Sequence, residues 1–225
     1  MSEARVLACA QCGAPTGFLA GSCAYCGATL TWHDVPVLRR GPLVRRFDLA
    51  RGELLLRMGD VPGVEVRRGE GVIVPVAQWR STFFACGLQL ADCAVRMEAA
   101  ALDPGVGFGV DLRVTTPGAA RTSYAVKVLP WLRAFRLERV LSTPVKAFAE
   151  TLRAPESVPQ LGGVGETIEL EARCADSVLS IHVGDLHLGS FVDARYGFGA
   201  MGLTADGYHG AGRVLIRSFA VHEVR

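Results

Sequence analysis

Residues 166–192 read ETIELEARCADSVLSIHVGDLHLGSFV. Ile168 and Leu170 alternate with Glu169 and Glu171, so an extended chain here has one apolar and one charged face. Two more short apolar runs follow, Val178–Val183 and Leu186–Val192. Between them Val183-Gly184-Asp185 reads as a hairpin turn. The period is two, not 3.6, and the runs are too short for helices. This stretch is a set of antiparallel strands.

The same texture extends both ways. Gly71–Val76, Cys93–Leu102, Phe108–Val114, Ser123–Leu129, Ala134–Val140, Thr167–Arg173, Ala200–Thr204 and Val214–Glu223 are strand candidates, separated by Gly, Pro and Asp turn signals. In one of them Phe108, Val110, Leu112 and Val114 are expected to share a face, with Asp111 and Arg113 on the other. No long helix is predicted; Pro144–Arg153 is either one or two helical turns or another strand. So many strands without crossover helices predict an all-β, two-sheet antiparallel jelly-roll sandwich.

Three motifs make this reading more specific. Leu179–Leu186 has a strand-and-hairpin pattern, Gly199–Ala205 reads GAMGLTA, and Val214–Val221 reads VLIRSFAV. Together they resemble the closing half of concanavalin A-like, laminin-G-like domains. FGVDLRV and SYAVKVLPWLRAFRLERV fit the middle strands of that pattern, so the likeness spans about Val95–Val224. It implies a fold that hosts lectins, glycosidases and protein-binding modules alike.

The N-terminus is different in kind. CAQCGAPTGFLAGSCAYCG places Cys9, Cys12, Cys23 and Cys26 in C-x2-C-x10-C-x2-C spacing. Two intervening residues let both sulfurs of a pair reach one ion, and Gly13 and Gly27 follow where positive φ is often needed. Four thiolates suit a tetrahedral, closed Zn²⁺ site, structural in role. The segment is too short for an apolar core, so the metal would supply most of its folding energy. It resembles the short zinc-ribbon family. The expected organisation is a ribbon over residues 1–32, a linker or first strand over 33–46, and the sandwich over 47–225.

Composition limits the partners. The chain has 225 residues, half of them hydrophobic, and a formal charge of +2. That charge is too small to suggest nucleic acid or an anionic membrane. No Lys or Arg lies between Val6 and Leu30; Arg39, Arg40, Arg45 and Arg46 come only afterwards and read as a solvated linker or strand edge. There is no asparagine, hence no N-glycosylation site. No stretch has the roughly 18 uninterrupted apolar residues of a membrane span. With no apolar leader in MSEARVLACAQC, the expected compartment is the cytoplasm, where thiols stay reduced.

Motifs for chemistry are scarce. The resemblance implies that glycanases of this fold would carry E-x-D-x-x-E on one strand, and the sequence has none; Glu166, Glu169 and Glu171 read as a solvated face. GFGAMG at Gly197–Gly202 matches G-x-G-x-x-G, but LTADGYHG after it cannot form the helix a dinucleotide site needs. Asp103, Asp111, Asp185 and Asp193 form no calcium loop. Cys86, Cys93 and Cys174 lack a local histidine motif, and the last two read as core. His182 and His187 flank the hairpin and could meet across it on a polar outer face. For sugar binding, the aromatic and planar candidates are Tyr124, Trp131, Arg133, Tyr208 and His209. The expected function is a non-catalytic interaction module binding a protein or glycan, with a structural zinc ribbon. A carbohydrate-active hydrolase on the same fold is the alternative; nucleic-acid binding through the ribbon and the adjacent arginines is the second. A homo-oligomer fits the exposed sheet faces.

Overall fold

The computed structural model describes residues 38–49, 63–116, 120–143, 147–193 and 195–225, with residues 12, 14, 25, 26, 53, 56 and 57. Among these there are fifteen strands in two antiparallel sheets. One sheet contains β1 (Arg40–Arg46), β3 (Glu65–Arg67), β4 (Gly71–Val76), β6 (Cys93–Ala101), β11 (Ile168–Ala175), β12 (Val178–Val183), β13 (Leu186–Val192) and β15 (Gly212–Val224). Its order is β13-β12-β11-β6-β15-β4-β3, with β1 also paired to β15. The other contains β2 (Leu56–Arg57), β5 (Ser81–Leu90), β7 (Val106–Thr115), β8 (Arg121–Leu129), β9 (Ala134–Ser142), β10 (Ala147–Ser157) and β14 (Gly199–Gly207). Its order is β10-β9-β8-β7-β14-β5-β2. The architecture is the all-β jelly-roll sandwich expected from the sequence.

Alternation explains how the sheets face each other. Ile168, Leu170, Ala172 and Cys174 of β11 point into one core with Val95, Met97 and Ala99 of β6, and meet Phe108, Val110 and Leu112 of β7 from the opposite sheet. On β15 the inward set changes parity, from Val214 and Ile216 to Phe219 and Val221. A register shift between Ile216 and Ser218 absorbs the extra residue and keeps the apolar side chains inside. Cys93 and Cys174 are register partners, fully buried, with sulfurs 3.6 Å apart. The β12–β13 hairpin turns at Gly184, whose φ of +55° an L side chain rarely adopts, with Val183 paired to Leu186.

Two elements differ from expectation, and one open reading is decided. The sequence signals omitted β5; within the segment read as helical turns or strand, residues 147–153 are strand, since β10 pairs with β9 from Ala147 to Ser157, and residues 144–146 lie outside the described residues. On β7 the simple alternation fails after Leu112. Arg113 adopts φ +53° and the register shifts before Thr115. Val114 therefore leaves the Phe108–Leu112 face and lines the outer surface beside Phe198 and Ala200. Arg113 turns inward instead: 1 % exposed, it donates to the carbonyls of Ala91 and Tyr196. Polar ties also cross between the sheets. Tyr124 donates to Asp193 Oδ1 at 2.6 Å, and Arg139 reaches Asp193 Oδ2 at 2.7 Å. No helix of the described residues is long and apolar enough to cross a membrane.

Candidate functional site

The seven-stranded sheet carries a groove of about 670 Å³ on its outer face. It crosses the sheet from Trp79 and Arg80, ahead of β5, to Phe148 and Ala149 on β10. The residues facing away from the core build its floor: Ser81 and Phe83 on β5, Thr204 and Asp206 on β14, Asp111 on β7, Ala125 and Lys127 on β8.

Lys127 is the centre of this floor. It lies between Val126 and Val128, which point into the core, so alternation aims it outward. Its neighbour on β7 is Gly109, and the neighbour of Gly109 on β14 is Thr204. Without a side chain on Gly109, the lysine can cross β7 and reach Asp206; a Cβ there would lie 3.0 Å from Lys127 Cα. Lys127 Nζ donates to Asp206 Oδ1 at 3.2 Å and forms an ion pair with Glu138 Oε2 at 3.3 Å, the latter without hydrogen-bond alignment. Burial would push this ammonium down, but Asp206, Tyr208, Glu138 and Asp111 reverse the effect, and its pKa ends above the ordinary lysine value.

The acids are held individually. Asp206 also accepts from Ser81 Oγ. Glu138 Oε1 contacts Arg136 at 3.1 Å, and Arg136 donates onward to the Tyr208 hydroxyl at 2.8 Å. Asp111 is fully buried, accepts from Ser123 Oγ at 2.6 Å, and burial raises its pKa against the pull of nearby Arg121. Arg121 lies over the Phe83 ring, 4.3 Å from its centroid. Phe83 in turn occupies the space over Gly202, where a Cβ would stand 2.5 Å from Phe83 Cε2. Three carboxylates, one lysine and two arginines thus share one face. Asp111 Oδ2, Asp206 Oδ2, Glu138 Oε2 and Thr204 Oγ1 are buried there with no hydrogen-bond partner.

At one end, three connections bring aromatic rings together. The turn of 3-10 helix Pro130–Leu132 carries Trp131, the β14–β15 connection carries Tyr208 and His209, and the β4–β5 connection carries Trp79. Trp131 packs 5.3 Å from Tyr208 and 5.9 Å, edge-on, from His209; Trp79 packs 5.8 Å from His209. The Arg136 guanidinium sits 4.8 Å above Tyr208. Burial, then Asp206, pushes the Tyr208 phenol up to about 12, so it keeps its proton.

Of the five sugar-binding candidates from the sequence, the structure brings Trp131, Tyr208 and His209 together, and of these only Tyr208 lines the groove. Tyr124 is buried between the sheets on Asp193, away from the groove. Arg133 caps the 3-10 turn and donates to the Pro159 carbonyl. Sequence reasoning missed Trp79, Lys127, Asp206, Glu138 and the part played by Asp111. Their signal was faint: a lysine within the apolar run AVKVL, and glycines alternating before an acid in VGFGVD.

The other expected clusters lie elsewhere. His182 and His187 do meet on the outer face of the eight-stranded sheet, ring centroids 4.9 Å apart. Arg40 reaches Glu171 at 2.7 Å beside them, and Arg45 stacks 4.8 Å from the Phe47 ring. Cys9 and Cys23 lie outside the described residues; Cys12 and Cys26 lie on turns. Among the described residues no three His, Cys, Asp or Glu are placed to hold a metal ion.

No protein-family model and no curated protein matches the sequence. Solved structures do match. The carbohydrate binding module CBM66 from Bacillus subtilis superimposes with a TM-score of 0.55 at 12 % identity, covering 68 % of this chain and 87 % of that one. A Bacillus subtilis protein of unknown function with a galectin-like fold gives 0.54 at 10 % identity, over 84 % of this chain and 99 % of that one. The κ-carrageenase from Pseudoalteromonas carrageenovora, solved with an oligotetrasaccharide of κ-carrageenan, gives 0.53 at 10 % identity, over 84 % and 95 %. The shared property is the galectin-like, concanavalin A-like jelly-roll fold.

Proposed function

We propose that this chain is a non-catalytic glycan-binding module whose site is the groove across the seven-stranded sheet. The observation that carries this reading is the composition of that groove. Its floor holds buried hydrogen-bonding groups still without partners, and at its end Trp79 stands 70 % exposed. Sugars present both hydroxyls and an apolar ring face, so such a site suits them. The fold supports the reading, since similar structures include a carbohydrate binding module and a carrageenase.

One observation favours a hydrolase instead. Glu138 and Asp206 both touch Lys127, at 3.3 and 3.2 Å, so they are no farther apart than the roughly 9 Å that glycoside hydrolysis tolerates. Binding alone remains the better account, because both acids are engaged by one ammonium rather than presented to a leaving group.

The test is binding of soluble polysaccharides by affinity electrophoresis, with reducing-end release measured in parallel. Retardation without release is expected. Trp79→Ala should weaken it at least tenfold, about 1.4 kcal/mol, without lowering the unfolding midpoint, because this ring is mostly exposed. Unchanged binding by that variant would count against the groove, and steady sugar release would favour the hydrolase.

The four N-terminal cysteines belong to the same proposal as a structural Zn²⁺ ribbon. Support comes from the donor set itself: four thiolates in two matched pairs. One zinc per chain is expected in native mass spectrometry, with Cys12→Ser losing it. Metal-free protein with Cys9, Cys12, Cys23 and Cys26 oxidised in pairs would overturn the ribbon.

A further inference from the structure

The charge arrangement in the groove carries a choice of ligand, on the premise that the groove binds glycan. Three of its lining residues, Asp111, Thr204 and Asp206, are at least 96 % buried, and each has a side-chain oxygen without a hydrogen-bond partner. A buried acceptor left unmade costs stability, so these atoms are matched only when something brings donors to them.

Three kinds of sugar could do so: a neutral one through its hydroxyls, a cationic one through an ammonium, or an acidic one that also carries anionic groups. Cations and anions nearly balance along the groove, with Arg80, Arg121 and Lys127 on one side and Asp111 and Asp206 on the other. Lys127 is held by Asp206 and Glu138, and Arg121 stacks on Phe83 with its Nε still lacking an acceptor, while Arg80 stands exposed at the edge of the groove. Just behind the floor, Arg136 is held by Glu138 and Tyr208. On the floor, a sulfate or uronate would have to compete with the pairs of Lys127 and Arg136 and would also meet Asp111 and Asp206 directly. An ammonium would meet Lys127 and Arg121. A neutral hydroxyl suffers neither repulsion and supplies the missing proton.

We propose that the groove selects neutral, hydroxyl-presenting glycans, whose hydroxyls donate to Asp111, Thr204 and Asp206, and excludes sulfated, uronate and amino sugars. Neutral glycans donate into oxygen acceptors that are otherwise unmatched; charged ones are excluded by the balance around them.

The experiment compares five probes with purified full-length protein at 150 mM salt and pH 6: laminarin and levan as neutral glycans, alginate as a uronate, κ-carrageenan as a sulfated chain and chitosan as a cationic one. Binding to at least one neutral probe, with at least tenfold weaker binding to all three charged ones, is the expected result. Thr204→Val removes a hydroxyl without touching any charge and should weaken neutral binding about three- to tenfold. Asp111→Asn tests a second acceptor and should weaken it at least tenfold, its folding checked by circular dichroism. Tighter binding of alginate, κ-carrageenan or chitosan than of any neutral probe would overturn the selectivity while leaving glycan binding in place. So would neutral binding that neither variant alters. Failure to bind any of the five would overturn both this inference and the glycan reading beneath it.

Discussion

Replacing Lys127 by methionine is expected to remove about 3 to 5 kcal/mol of folding stability, the usual cost of breaking a buried ion pair from one side. The side chain is 10 % exposed and its two carboxylate partners 4 and 6 %, so solvent cannot take over the role of the ammonium. Methionine fills much the same volume, so the loss measures charge rather than a cavity. Glu138 would keep Arg136 and Asp206 would keep Ser81, which prevents complete collapse of the cluster. For a chain of this size the melting temperature should fall by on the order of 10 °C. The triple variant Lys127→Met, Glu138→Gln, Asp206→Asn should recover a large part of this, because amides need no counter-ion. Urea denaturation of the wild type and both variants decides the matter. A single variant within about 0.5 kcal/mol of wild type, the range of an ordinary surface change, would mean that the lysine is solvated and the floor of the groove is not the closed polar cluster described.

That cluster shows where sequence reading stops. Strands such as β4, β12 and β13 were legible to the residue, because apolar alternation and turn residues are local signals. The strand β5 was not, since STFFACGLQL places adjacent phenylalanines on opposite faces. Phe84 belongs to the core, while Phe83 is buried outside it, over Gly202 and under Arg121. Only the pairing of β5 with β14 makes that second burial possible. The groove was hidden for a similar reason. Asp111, Lys127, Glu138 and Asp206 each occupy the outward position of a strand, where a charge reads as a solvated face. The order β9-β8-β7-β14 brings them together, and strand order is a long-range property. Trp131, Tyr208 and His209 were recognisable as candidates from residue type; that they meet at one end, with Trp79, follows from three connections widely separated in sequence.

Acidification should destabilise the protein through the opposite sheet. His182 is 6 % exposed, and burial first, then Arg173 and His187, push its pKa down to about 4. The groups around it come from several strands: Arg173 and Glu171 on β11, His187 on β13 and Arg40 on β1, of which only Glu171 favours the imidazolium. In the unfolded chain a histidine titrates near 6.5. Between pH 6.5 and 4 the unfolded state therefore binds a proton that the folded state refuses, and stability falls as pH falls. Above pH 6.5 both states hold a neutral ring and the contribution is complete. The gap allows up to about 3 kcal/mol, an upper bound because water partly reaches the site. His187 and His222 are depressed in the same direction and add to the slope. Carboxylates contribute their own pH dependence, so the informative quantity is the difference between wild type and His182→Gln. Gln stays neutral at every pH, and the two stability curves should converge as pH drops from 7.5 to 4.5. Curves that stay parallel across that window would show that His182 protonates as easily in the folded protein as out of it, and that the outer face of the eight-stranded sheet is open at this point.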